Sequence, residues 1–135
     1  MQTKPVLTCE DVQTILSASQ KEALANGWKV TIAVADDGGH LLGLIRLDGA
    51  PPMSAHIGPS KAKAAAMAKK ETKILEDVIN KGRTAFVTAP YVDGLLEGGV
   101  PIVVEGHVVG AVGVSGVQSD QDAQIAKAGI AAVLG

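Results

Sequence analysis

The sequence predicts an α+β domain in which helices cover a mainly antiparallel sheet. Three observations predict it. Aliphatic runs at residues 28–35 and 40–47 flank Asp36-Asp37-Gly38-Gly39, and runs at 100–104 and 108–115 flank Glu105-Gly106, so hairpins rather than crossovers join neighbouring strands. Helical periodicity precedes the first hairpin, fills the space between the two and follows the second. The 135 residues suffice for one core, so residues 1–135 read as a single domain.

The first helix starts at Thr8, whose hydroxyl and Asp11 three residues on have the spacing of a capping box. Val12, Ile15, Leu16, Ser19, Ala23 and Leu24 recur on one face, and Asn26-Gly27 supplies the stop. In the first strand Val30, Ile32 and Val34 alternate; after the turn, residues 40–47 return as the second strand. Two prolines in G-A-P-P-M-S-A-H-I-G mark a loop, and the next helix begins between Ser54 and Pro59 and covers residues 60–70. Residues 71–80 form another helix with Ile74, Leu75, Val78 and Ile79 on a stripe, ended by Lys81-Gly82. Pro90 and Gly94 break residues 83–96 into loop with short extended pieces. Pro101 cannot donate a ladder bond, so strand 100–104 lies at an edge or starts irregularly. Gly110 and Gly113 in the next strand let a helix, a ligand or another backbone approach closely. Ser119 caps the last helix, with Asp122 three residues later.

Composition excludes several function classes. Twelve Lys and Arg against fourteen Asp and Glu leave a net charge of −2, and one Trp, one Tyr and one Phe make no stacking platform, so nucleic acid is not an expected partner. No apolar run approaches membrane-spanning length and the N-terminus lacks a signal-peptide core, so no membrane partner and a cytoplasmic location are expected. A single cysteine, Cys9, excludes an internal disulfide. It falls in the first helical turn, where the dipole favours a thiolate, the alternative being a buried or merely tolerated thiol. A core of small aliphatic residues points to further burial in a homo-oligomer.

Nucleotide-loop, zinc-helix and nucleophile-elbow motifs are absent; G-V-S-G at 113–116 does not meet G-x-S-x-G. What remains is a short set of candidates. Lys61 would sit in the first turn of a helix beginning at Ser60, opposing its dipole by roughly a few tenths of a kcal/mol unless a carboxylate or phosphate ligand, or a neighbouring Glu, lies beside it. A helix beginning at Ser54 weakens that objection. His56, in the Pro-rich loop, is a candidate metal or haem-iron ligand or a plain exposed polar residue, whereas His40 and His107 follow turns and read as solvated. Glu97 beside Gly98-Gly99 is the candidate carboxylate, its glycines free to offer backbone N–H groups or close approach to a flat ligand, or equally to serve a plain turn.

V-A-D-D-G-G-H-L-L at 34–42, R-L-D-G-A-P-P at 46–52, S-K-A at 60–62, E-G-G-V-P-I at 97–102 and G-A-V-G-V-S-G at 110–116 with Q-D at 121–122 resemble the GlcG and HbpS family of small haem-binding or haem-degrading domains. The chain is similar also to the C-terminal domain of PduO-type cobalamin adenosyltransferases. The resemblance implies a profilin-like or PAS-like α/β/α sandwich with a central antiparallel sheet of about five strands, assembled as a dimer or higher even oligomer. It implies noncovalent haem binding, with degradation of haem or sequestration of haem or iron. Positions matching the shared motif are Lys61, Glu97, Gly98, Gly99, Pro101, Gly113, Ser115, Gly116 and Asp122. The expected ligand pocket joins residues 50–61, with His56 and Lys61, to Glu97, Gly98, Gly99 and Pro101. The alternatives are an enzyme acting on an anionic metabolite of glycolate, diol or aromatic catabolism, with Lys61 and Glu97 catalytic, and an accessory subunit without chemistry.

Overall fold

The computed structural model describes residues 1–135. Helix α1 (Cys9–Ala25) begins as its capping box dictates: Asp11 N–H donates to Thr8 Oγ1 at 3.1 Å and Thr8 N–H to Asp11 Oδ2 at 2.8 Å. Val12, Ile15, Ser19 and Ala23 form its buried stripe, while Leu24 is exposed; Gly27 ends the helix at φ +69°. Cys9 is exposed, which removes the buried reading and leaves the tolerated thiol.

Strands β1 (Thr31–Asp36) and β2 (Leu41–Arg46) form the first hairpin. The Asp36 carboxylate holds its turn by accepting the N–H groups of Gly38 and His40, each at 2.9 Å. Strands β3 (Gly99–Val104) and β4 (His107–Ser115) form the second, across Glu105 and Gly106, both at positive φ as a tight hairpin turn requires. The antiparallel order is β2-β1-β4-β3, which places Pro101 on an edge strand. The sheet therefore has four strands, not about five. The segment a fifth would need, residues 83–96, forms a 3-10 helix over Thr84–Thr88 and coil instead of extended pieces.

Helix α2 (Ser54–Ala68) starts directly after the two prolines, so His56 lies in its first turn rather than in a loop. Lys61 accordingly stands in the helix interior, and the dipole argument for a ligand beside it lapses. Helix α3 (Thr72–Asn80) buries Thr72 and Leu75 but leaves Ile74 exposed. Helix α4 (Ser119–Leu134) is capped from Gln118, whose N–H donates to Gln121 Oε1 at 3.3 Å; Ser119 is already helical and Asp122 turns inward. Helices α1 and α4 cover one face of the sheet and α2 the other. No helix is long and apolar enough to cross a membrane.

Candidate functional site

Alternation along the central strands decides what each helix meets. Register pairs Thr31 with Ser115, Ala33 with Gly113 and Ala35 with Ala111, so small residues floor the α2 side. A Cβ on Gly113 would clash with the Gly58 carbonyl and the Ala62 nitrogen of α2. Of the approaches open to this glycine, the helix takes it. Gly99 likewise lies against the Lys61 carbonyl, pinned from α3 by Thr72 Oγ1, which accepts its N–H at 2.8 Å.

This close packing carries Lys61 inside. Its side chain is 3% exposed, and Nζ donates to Val114 O at 2.9 Å and to Asp122 Oδ2 at 3.1 Å. A Cβ on Gly98 would sit 2.7 Å from that Nζ, so the Glu-Gly-Gly turn closes over the ammonium. Burial pushes the Asp122 carboxyl up to about 6, and the attraction of Lys61 only partly opposes the shift. Asp122 Oδ1 also accepts the Val117 N–H at 3.3 Å. The pair thus joins α2 to the start of α4 past the end of β4.

Glu97 is half-buried and makes no ion pair; its backbone N–H donates to Glu76 Oε1 at 3.2 Å. The structure therefore brings Lys61 to Gly98 and Gly99 but pairs it with Asp122, not Glu97. Pro101 sits on β3 opposite Ala111. His56 is exposed on α2 and its imidazole makes no hydrogen bond. Pro59, Ser60 and Lys63 follow it at helical spacing on the same face. They line a cavity of about 230 Å³ whose far wall includes Leu41. Leu41 and Leu44 pair with Ala35 and Ala33, so both lie on the α2 side of β2, where they remain 54% and 38% exposed. No three His, Cys, Asp or Glu residues converge as a metal cluster. The Lys61–Asp122 pairing has no signal in sequence spacing, and Asp122 imitates a capping residue there.

The family described as haem degrading protein HbpS-like matches residues 7–131. The chain belongs to the HbpS-like family. Within that family it is 55% identical over 115 residues to protein GlcG of Escherichia coli (strain K12), an alignment covering 85% of each protein. A crystal structure of a double mutant of Streptomyces reticuli HbpS is similar with a TM-score of 0.89 at 32% identity, covering 100% of this chain and 91% of that one. A crystal structure of a PduOC:haem complex is similar with a TM-score of 0.86 at 26% identity, covering 95% of each chain.

Proposed function

We propose that this HbpS-like chain binds haem noncovalently on the strip between α2 and β2, as a cytoplasmic homo-oligomer, with haem degradation or iron sequestration as the outcome. The observation that carries the reading is His56: an exposed imidazole with no hydrogen bond, one helical turn before the α2 residues that line the cavity, in a chain whose family description names haem. Its neighbours fit the group. Leu41 in the cavity and Leu44 beside it on β2 offer an apolar bed, and the Lys63 cation lines the cavity for a propionate, with Asp93 the one carboxylate there. Bound haem would supply the redox-active iron; the chain's own contribution is to ligate, seat and shield it.

A cavity of about 230 Å³ encloses only part of a tetrapyrrole, so a second copy is needed to cover the rest. Exposed Leu41, Leu42 and Leu44 on edge strand β2 favour that assembly, because a bare apolar edge invites pairing. An exposed free Cys9 suits a reducing compartment.

Hemin titration of wild type and His56→Ala, followed in the Soret region and by sedimentation, tests the reading. A sharp saturable band on an oligomer, lost in His56→Ala, is the expected result. A band retained by the variant removes His56 from the site, and a featureless wild-type response removes haem.

A further inference from the structure

A cavity of about 430 Å³ lies away from His56, where the C-terminal end of α1 meets the start of β1 and the end of β2. That volume suits a small organic ligand. Its apolar part comes from Leu24, Trp28, Ile45 and Leu47, and Trp28 is the only tryptophan in the chain.

The polar part is dominated by donors. Arg46 Nη2 donates to Ala50 O at 3.0 Å, which holds the guanidinium against the turn at residues 48–50. Lys29 lies across the same turn: a Cβ on Gly49 would sit 2.8 Å from Lys29 Cδ and 3.3 Å from Nζ. Both cations therefore border one turn, and neither forms an ion pair with any carboxylate of the chain. Two cations lining one cavity without a carboxylate partner favour an anionic ligand there. The Trp28 indole N–H and the Gln20 amide, both at this cavity, also make no hydrogen bond within the chain. Asp48 is the one carboxylate present, so positive charge prevails.

We infer that this cavity binds a small carboxylate with an apolar body, the carboxylate between Lys29 and Arg46 and the body against Trp28. The inference is independent of the haem site: the lining shares no residue with the α2 and β2 strip. It also places anion recognition on cations other than Lys61, whose ammonium is already committed to Asp122.

Trp28 emission gives a direct readout of ligand at this cavity. Benzoate is the probe, benzamide the uncharged control and inorganic phosphate the control without an apolar body. Benzoate should change the emission saturably, with at least about tenfold weaker responses to both controls and weakening by added salt. Arg46→Gln and Lys29→Gln should each weaken benzoate about tenfold, the scale of a lost charge-assisted hydrogen bond, while Asp48→Asn should tighten it. All three positions are exposed, so unchanged melting temperatures establish intact folds. His56→Ala should bind benzoate as wild type does, whatever happens to its haem band. No benzoate response, an equal response to benzamide, or indifference to Arg46→Gln and Lys29→Gln would overturn the assignment.

Discussion

Toward α1 and α4 the central strands present Ile32, Val34, Val112 and Val114; toward α2 the same strands present Thr31, Ala33, Ala35, Ala111, Gly113 and Ser115. The first face is filled by volume, joined by Ile15, Ile125 and Ile130. The second is closed by the approach of backbones, with glycines where α2 touches the sheet. Polar groups divide accordingly. On the large-residue side Ser19 Oγ merely donates to Ile125 O at 2.8 Å, whereas the α2 side holds the Thr31–Ser54 hydroxyl pair and the Lys61 ammonium. Close packing leaves no room for water around a long cation, so its charge must be met by protein groups. The motif residues Lys61, Gly98, Gly99, Gly113 and Asp122 belong to that seam. Their geometry commits them to packing and charge pairing inside the seam, which leaves His56 and Trp28 as groups open to ligands.

Replacing one residue on each face breaks the comparison most sharply. Gly113→Val should abolish the native fold or cost more than about 3 kcal/mol, because the new atoms meet backbone on α2 that cannot move without lifting the helix. Its neighbour on the other face, Val112→Ala, only leaves a hole and should cost about 2 to 3 kcal/mol. Urea unfolding of both variants measures the difference. A Gly113→Val protein as stable as Val112→Ala would show that the α2 seam is loose.

The buried pair comes next. Asp122→Leu takes the oxygen acceptor from the buried Lys61 ammonium, leaving it only the Val114 carbonyl, and should cost about 3 kcal/mol. The double variant Lys61→Met with Asp122→Leu removes both charges and should recover most of that loss, since desolvation rather than attraction dominates this pair. A double variant no more stable than Asp122→Leu would mean that the seam needs the hydrogen bonds to Val114 O and Val117 N–H more than it needs relief from charge.

Local chemistry explains which parts were legible in the sequence. Turns at Asp36 and Glu105 and the Thr8–Asp11 cap are decided within a few residues, and all three stand in the structure. Pro101 announced an edge and Gly113 a close approach, both correctly. Long-range partners were not legible. Lys61 and Asp122 are 61 residues apart, so Asp122 passed for a cap beside Ser119 and Lys61 for a ligand cation. Pro51-Pro52 looked like an interruption but precedes a helix, which altered the setting of His56 and Lys61 together. The apolar residues of 83–96 suggested extended pieces, yet with no strand edge to join they settle as a 3-10 turn and coil. The Lys29 and Arg46 cavity has no sequence signal, because its cations come from two strand ends brought together only by the turn at Gly49.

The smallest effect is a pH slope, which sharpens the comparison without altering packing. The folded Asp122 carboxyl, raised from 3.8 to about 6 by burial, holds its proton where the unfolded chain has released it. Its contribution to stability is therefore complete below pH 3.8 and is lost as pH rises through about 6. From pH 5 to pH 7 this loss amounts to about 1 kcal/mol. Asp11 works the other way, held low by the Thr8 backbone N–H, but its stabilisation is lost only below pH 3.8 and does not enter this window. Groups shared by wild type and Asp122→Asn cancel in the difference between them. Urea midpoints at the two pH values should thus show the cost of Asp122→Asn growing by about 1 kcal/mol on going from pH 7 to pH 5, the wild-type carboxyl having gained its proton in the folded state. An unchanged difference would place the Asp122 carboxyl near its ordinary value, so that Lys61 fully compensates its burial and the two faces of the sheet differ in shape alone.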